Sequence, residues 1–399
     1  MDKELSSRKD GSQKYAYWLH HLPGVGDKTI RRLLDRYKHP AEIYKRLKKE
    51  KENNSREASG LEGILTEKQE ELLCIHTKRW KLEEEYEKLE KAEIRFLTFQ
   101  DSDYPRRLKE IPDPPYAIYV KGELPGEHVL SVAVIGAREC SEYGRFVGQE
   151  LGKALGESGI QVISGMARGI DGISQAAALE AGGVSYGVLG CGVDICYPSQ
   201  NRKLYDRLLE QGGILSPYVP GTLPKAPLFP PRNRIVSGLA DVLVVVEARQ
   251  KSGTLITVDM ALEQGREVYV VPGRLTDRLS DGCNRLVKQG AGVLLSPEDF
   301  LKEMTELFPE KLIPGRQAEK KQLQASAGNG RVQLANPCFE NKEEEKIYAC
   351  LELTPKTVEQ LLSESGTKLS YLQVQQILMK QQITGQVKQP SPGFYCLRR

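Results

Sequence analysis

Residues 129–300 alternate short apolar runs with helical stretches, and this alternation constrains the fold more than any other feature of the chain. The apolar runs extend from VLSVAVIG at 129–136 to EVYVVPG at 267–273, and most of them end close to a glycine. Uninterrupted apolar strands are buried on both faces, as in a parallel sheet covered by helices. The sequence therefore predicts an α/β fold with an extended Rossmann-like, doubly wound and mostly parallel sheet. The helices predicted between the strands span 142–157, 172–182, 200–211 and 254–265.

A turn between two short helices marks the beginning of the chain, where Leu-Pro-Gly-Val-Gly occupies 22–26. We expect Asp27 to cap the second of these helices. Such a helix-hairpin-helix could offer the backbone amides around Gly24 and Gly26 to a nucleic-acid phosphate. The alternative is a tight connection that binds nothing, and the sequence does not separate the two.

The segment 66–92 is rich in Lys and Glu and predicts one long, solvent-exposed helix. The runs 94–99 and 116–120 then predict two strands ahead of the alternating region. Residues 308–340 show no hydrophobic period and predict a linker. Four segments follow from this order: a helical domain of helix-hairpin-helix or SAM-like type at 1–92, the Rossmann-like domain at 93–307, the linker at 308–340, and a winged-helix domain at 341–399.

The predicted recognition helix of the winged-helix domain, 369–382, is rich in glutamine and has Lys380 as its one basic residue. Duplex DNA binding depends on cations that neutralise phosphates. Binding of duplex DNA by this helix is therefore doubtful, and a protein contact or simple packing is at least as reasonable.

The overall composition excludes several classes of protein but does not by itself identify the function. The formal net charge is only +3, so a nucleic-acid site has to be a local basic patch. No apolar run is long enough to span a bilayer, and the N-terminal residues are too polar for a signal peptide. The eight cysteines form no CxxC pair and the five histidines have no metal-ligand spacing. We expect a cytoplasmic, reduced protein with no metal, no cofactor and no membrane partner.

Four loops should meet at the carboxyl edge of the predicted sheet. They combine small residues, amides at helix starts, hydroxyls and several cations, which suit phosphate groups. Asp171 is better placed to cap a helix or brace a loop than to act as a general base. Neither a GxGxxG dinucleotide motif nor a GxxxxGK[ST] loop is present. The four loops begin at Gly136, Ser164, Phe229 and Arg249.

The motifs in these loops give a family resemblance. VAVIGAREC, VISGMARGID, FPPRNRIVSGLAD and VVVEARQKSGTLIT occur in the order typical of the DNA-processing protein A (DprA or Smf) family. The chain resembles that family over roughly 90–300, and the flanking domains match a common family layout. The resemblance implies a non-enzymatic protein that binds and protects single-stranded DNA, forms homodimers and loads the RecA recombinase during natural transformation.

The resemblance also implies which residues contact DNA. Tyr143, Tyr197 and Phe229 lie in or beside the same loops and could stack on bases, although burial is the commoner fate of such side chains. The implied DNA-binding residues are Arg138, Ser164, Gly165, Arg168, Arg232, Asn233, Arg234, Lys251, Ser252, Gly253 and Thr254.

Two other functions remain open at this stage. Phosphoribohydrolases on a related fold use a Gly-Gly-x-Gly-Thr-x-x-Glu loop, and here Thr257 stands in the place of their glutamate. An enzyme of that class is the main alternative. The other alternative is a scaffold whose hairpin and winged helix recruit partners.

Overall fold

The computed structural model describes residues 12–49, 61, 63–311, 342–352, 354–383 and 386–397. Nearly all of the predicted linker lies outside the described residues. In the described residues ahead of the first strand there are five helices, namely α1 (Gln13–His20), α2 (Asp27–Tyr37), α3 (Pro40–Lys49), α4 (Glu67–Arg79) and α5 (Leu82–Lys91). The sheet region contains β1 (Arg95–Thr98), α6 (Arg106–Lys109), β2 (Ala117–Gly122), β3 (Ser131–Ile135), α7 (Glu142–Glu157), β4 (Gln161–Ser164), α8 (Ile170–Glu180), β5 (Ser185–Val188), α9 (Arg202–Glu210), β6 (Gly212–Ser216), α10 (Phe229–Leu239), β7 (Val242–Val245), α11 (Gly253–Glu263), β8 (Glu267–Val270), α12 (Asp281–Lys288), β9 (Gly292–Val293) and α13 (Pro297–Leu307).

The nine strands form one sheet in the order β1-β2-β6-β5-β4-β3-β7-β8-β9. The pairs from β6 to β9 are parallel, whereas β1–β2 and β2–β6 are antiparallel. The central strands β3 and β7 are buried along their whole length. Strand order reverses at β3, which pairs with β4 on one side and with β7 on the other. Ligands of such sheets bind beyond the carboxyl ends of the strands at this reversal, and the prediction of a mostly parallel doubly wound sheet is confirmed.

Two apolar layers cover the two faces of the sheet. One includes Ile118, Leu215 and Leu243, and the other includes Val132, Val162 and Val244. On the second face α7 packs closely on α8, because Gly152 and Gly156 leave no room for a side chain against the α8 backbone. This close packing fixes the starts of both helices beside the ends of β3 and β4.

The N-terminal helices share a core with the sheet. Tyr17 packs edge-on against Phe96 and Tyr119, with ring centroids 5.4 and 6.2 Å apart. His20 Nδ1 lies 2.8 Å from the Tyr119 hydroxyl in the same contact. The helical region is therefore continuous with β1 and β2 through one cluster of buried aromatic rings.

Two local predictions in this region are wrong. The segment 66–92 forms two helices, because the backbone at Trp80 is extended and its ring packs on His21 and Tyr17. Packing of the Trp80 ring against α1 thus breaks the single helix that the composition of 66–92 predicts. Gly26, rather than Asp27, is the N-cap of α2, and burial raises the pKa of the Asp27 carboxyl.

The C-terminal part contains three helices and a three-stranded antiparallel sheet in the order β10-β12-β11. Three helices and two terminal strands were expected, and the structure adds a two-residue strand; the winged-helix assignment stays a prediction. Lys388 joins this part to α7 through an ion pair of 2.5 Å with Glu150 and lies 4.7 Å from the Phe146 ring centroid. The elements are α14 (Lys342–Ala349), β10 (Lys356–Thr357), α15 (Val358–Ser365), α16 (Tyr371–Ile383), β11 (Val387–Ser391) and β12 (Phe394–Leu397).

None of the helices in the described ranges combines the length and the apolar character that crossing a membrane requires.

Candidate nucleic-acid interface

A groove runs along the carboxyl ends of the central strands, where the four motif-bearing segments meet. It consists of two adjoining pockets of about 690 and 420 Å³. The larger pocket contains the predicted residues of the loops after β3 and β7, and the smaller one extends toward Tyr197 and Ser199. The residues that line both pockets are Arg138, Gly165, Ala167, Tyr197, Phe229 and Arg232.

The charge of the groove is strongly positive. Its lining includes five cationic side chains and two carboxylates, those of Glu139 and Asp171. Within the described residues, no carboxylate lies within 4.0 Å of four of the five cations, and these four are exposed. Unpaired guanidinium and ammonium groups at an open groove favour a polyanion. The four are Arg138, Arg168, Arg249 and Lys251.

Arg232 differs from the other four cations because it is buried, with 4% of its surface exposed. Its Nη1 donates to the carbonyl oxygen of Val188, and both its guanidinium and the Asp171 carboxyl lie against the position that a Cβ on Gly165 would take. Asp171 Oδ2 also accepts from the Gly165 N–H at 3.1 Å, so Asp171 braces this loop as expected. Burial lowers the pKa of Arg232 and raises that of Asp171, while their mutual attraction opposes both shifts. Arg232 therefore supports the groove from beneath.

Two helices begin at the groove and point their N-terminal ends at it. Gly169 caps α8 with a φ of 73°, and a Cβ there would lie 2.6 Å from the carbonyl oxygen of Arg138. Ser252 caps α11, where its hydroxyl oxygen accepts from the Thr254 N–H at 3.1 Å. Helix N-termini carry a partial positive charge that suits phosphate oxygens, and at α8 this charge acts alone because the Ile170 and Gly172 N–H groups already donate to the Ala137 and Ala167 carbonyls. Gly253 and Thr254 line the larger pocket beside them.

An aromatic platform lies between the two pockets. The Tyr197 ring stacks on Phe229 with centroids 5.7 Å apart and planes at 27°, and Arg138 lies 5.6 Å from the Phe229 centroid. Tyr197 is 43% exposed and can accept a further stacked ring. Tyr143 is placed elsewhere: its hydroxyl donates to the Pro272 carbonyl and its ring packs on an apolar core.

Three sets of expected site residues lie outside the groove lining. Ser164 is fully buried and donates to the Val134 carbonyl at 2.6 Å. Arg234 donates to the Pro112 carbonyl, because the segment read as a loop is helix α10 and residues two apart on a helix face different sides. Gly24 and Gly26 lie in the exposed turn between α1 and α2, away from both pockets. Asn233 lies between Arg232 and Arg234 and does line the groove.

Sequence reasoning missed two residues that hold the loops in place. Glu247, directly after β7, is fully buried and accepts hydrogen bonds from the N–H and the hydroxyl of Ser141. Asn201 Nδ2 donates to the carbonyl oxygens of Met166 and Ala167 at 2.9 and 3.1 Å. The signal for Glu247 was its position, since a carboxylate that ends a buried apolar strand needs hydrogen-bond donors.

Thr257, which takes the place of the hydrolase glutamate, is 3% exposed and lines the larger pocket. Of the two groove carboxylates, that of Asp171 is engaged with Gly165 and lies next to Arg232. Glu139 is exposed on the loop that carries Arg138. The groove lining thus contains many groups that can bind phosphate and only two carboxylates.

Comparison with known proteins assigns the chain to a family. The family model described as DNA recombination-mediator protein A matches residues 95–305, which include every groove loop. The chain belongs to the DNA recombination-mediator protein A family. Family members include the DNA processing protein DprA of Streptococcus pneumoniae, 41% identical over 203 residues that make up 51% of this chain and 72% of that protein. The protein Smf of Synechocystis is 34% identical over 322 residues, 76% of this chain and 80% of that protein.

A solved structure from the DNA recombination-mediator protein A family agrees with the fold. DNA processing protein A from Streptococcus pneumoniae superposes with a TM-score of 0.61 at 31% identity, covering 73% of this chain and 97% of that one. The resemblance drawn from the motifs is confirmed by these matches.

Proposed function

We propose that this protein binds single-stranded DNA along the groove and does no chemistry on it. The observation that carries the proposal is the set of four unpaired cations on one open groove, with two helix N-termini beside them. A phosphate backbone crossing the groove would meet guanidinium, ammonium and amide donors in succession. Membership in a family of recombination mediators supports DNA as the polyanion.

The shape of the groove favours a single strand over a duplex. A loop-lined groove with a platform of Tyr197 and Phe229 between its pockets suits a flexible backbone whose bases are free to stack. In a duplex the same bases are stacked on one another, and a rigid helix cannot bend into two adjoining pockets.

The proposal includes a biological role that is narrower than DNA binding. The protein would protect incoming single strands, act as a homodimer and load RecA on them during natural transformation. The names of the relatives and of the family, which describe DNA processing and recombination mediation, support this role. A phosphoribohydrolase reaction gains no support from the groove, since Thr257 stands where that chemistry uses a glutamate.

The experiment is fluorescence anisotropy on a labelled oligothymidine in a series of salt concentrations. The wild-type protein should lose affinity with rising salt, and Arg138→Ala or Lys251→Ala should each reduce the slope of log K against log salt by about 0.7. Lys302→Ala serves as a charge-matched control, because this exposed lysine on α13 lies outside the groove lining. Unchanged affinity and slope in both groove variants would show that the groove is not the DNA site. Release of free base from nucleoside monophosphates would favour the enzyme alternative.

A further inference from the structure

The loop of residues 273–280, which connects β8 to α12, borders one end of the groove. Leu279 lines the larger pocket. The N–H of Gly282 donates to the Ala248 carbonyl at 2.8 Å, next to Arg249. The first turn of α12, which directly follows the 273–280 loop, is therefore packed against the segment that carries the exposed cations Arg249 and Lys251.

Hydrogen bonds hold the 273–280 loop in one shape. The Asn284 side chain bonds to both the N–H and the carbonyl of Gly273, at 3.2 and 3.0 Å. The Asp277 carboxylate accepts from the Leu279 N–H at 3.0 Å, and the Asp277 N–H donates to the Arg274 carbonyl. A loop fixed in this way presents its outward side chains with little loss of conformational entropy on binding.

Three outward side chains form the tip of this loop. Leu275 is 90% exposed, and Arg274 and Arg278 on either side of it are exposed as well. No carboxylate in the described ranges lies within 4.0 Å of either guanidinium. An apolar side chain between two unpaired cations matches a ligand that carries both negative charge and flat apolar surfaces.

We propose that the bound strand continues from the groove onto the 273–280 loop, where Arg274 and Arg278 contact phosphates and Leu275 packs against a base. The inference rests on the proposed single-stranded DNA function and extends the site beyond the two pockets. Leu279 and Arg249, which line the same pocket, supply the path, and the two exposed guanidinium groups supply the charge complementarity. A protein partner would need carboxylates placed opposite both guanidinium groups, whereas a DNA strand carries a phosphate at every nucleotide.

The test compares a long and a short oligothymidine, of about sixteen and about four nucleotides, on the full-length protein. The double variant Arg274→Ala/Arg278→Ala should reduce the salt slope on the long strand by about 1.4, two contacts of 0.7 each, and leave the short strand unaffected. Leu275→Ala should weaken binding of the long strand several-fold without changing the slope. Lys153→Ala/Lys302→Ala removes the same charge from exposed positions on α7 and α13 and is the matched control.

Three results would overturn the inference. One is an unchanged slope of the double variant on the long strand. Another is an equal loss on both strands, which would place the two arginines within the groove contacts. The third is normal DNA binding by Leu275→Ala together with a changed oligomeric state in size-exclusion chromatography, which would make the loop an interface between copies. If the wild-type protein binds neither strand, the proposed function itself fails.

Discussion

The N–H of Ser141 donates to the buried carboxylate of Glu247 at 2.9 Å, and this bond connects the end of β7 to the first turn of α7. The Ser141 hydroxyl donates to the same carboxylate, and Gly144 leaves no room for a Cβ against it. The segment between β3 and this anchor carries Arg138, so Glu247 positions the cation without touching the groove.

Glu247→Gln should therefore reduce both stability and DNA binding. The amide keeps one oxygen for the Ser141 N–H but turns an NH₂ group toward the Ser141 hydroxyl, and the loss of the charge-assisted hydrogen bonds to the carboxylate costs about 1–3 kcal/mol. Urea denaturation measures the stability. If Glu247 positions Arg138, the losses of DNA affinity in Glu247→Gln and Arg138→Ala will be less than additive in the double variant. Fully additive losses would contradict that role.

Arg232 and Arg234, two residues apart on α10, should respond differently to truncation. Arg232→Ala leaves the buried Val188 carbonyl without its donor and removes the cation that attracts the buried Asp171 carboxyl, and leaving buried polar groups unsatisfied costs about 1–3 kcal/mol or more. Arg234→Ala removes a bond to the Pro112 carbonyl at a partly exposed position, at a cost of about 1 kcal/mol. Urea midpoints of the two variants measure the difference, and equal midpoints would argue against the bracing role of Arg232.

Gly169 and Gly182, at the two ends of α8, form a matched pair for substitution by alanine. Their φ angles are 73° and 80°, so an alanine is strained at either position, by about 1–3 kcal/mol, and the ψ of −135° at Gly169 lies outside the left-handed helical region that other residues can adopt. A Cβ at Gly182 meets no atom within 4 Å, whereas at Gly169 it collides with the Ala137 and Arg138 carbonyls. Gly169→Ala should be the less stable variant by thermal unfolding and should lose DNA affinity as well. A Gly182→Ala variant of equal or lower stability would contradict this.

Tyr197→Ala should weaken single-stranded DNA binding while leaving stability nearly unchanged. The ring is 43% exposed and stacked on Phe229, and each base–aromatic stack contributes about 1–3 kcal/mol. Tyr371→Ala is the control, since this ring is 45% exposed and lies on α16 outside the groove. Anisotropy titrations compare the two variants, and equal affinities would remove Tyr197 from the binding platform.

Stability should fall in mild acid because two half-buried histidines, His20 and His21, remain neutral in the folded protein. Burial lowers the pKa of His20 to about 3 and that of His21 to about 4, from an ordinary value of 6.5. Below pH 6.5 the unfolded chain binds protons that the folded chain does not, so the free energy of unfolding decreases as the pH falls. The loss approaches about 1.4 kcal/mol per pH unit for each histidine.

Urea denaturation between pH 7.5 and 5 measures this dependence. His21→Gln should make the dependence shallower, and the exposed His39→Gln should leave it as in the wild-type protein. An equal pH dependence in all three proteins would show that His21 does not contribute.

The sequence predicts the sheet region well because its elements are encoded locally. The predicted helix 142–157 matches α7, because the Ser141 cap and the apolar periodicity that follows it can both be recognised in the amino-acid sequence. The joint location of the four motif segments follows from the general rule that the carboxyl ends of parallel strands meet at one edge of the sheet.

The wrong predictions concern local structure that is determined by tertiary contacts. The break at Trp80 depends on packing against α1, which no local pattern records. The different roles of Arg232 and Arg234 depend on α10 beginning at Phe229, although two prolines follow this residue. Prolines in a first helical turn are well tolerated, so the segment read as a loop is compatible with a helix.

The aromatic contact between α1 and β2 has a practical consequence for anyone shortening this chain. A fragment that starts at β1 would contain Phe96 and Tyr119 but lack Tyr17 and His20, which pack against them. An apolar surface that is covered in the full-length protein would then be exposed to solvent. Such a fragment would tend to aggregate or to dimerise through this exposed surface. If the fragment failed to bind DNA, the result would therefore not test the groove. Truncated proteins used in binding experiments should keep the N-terminal helices.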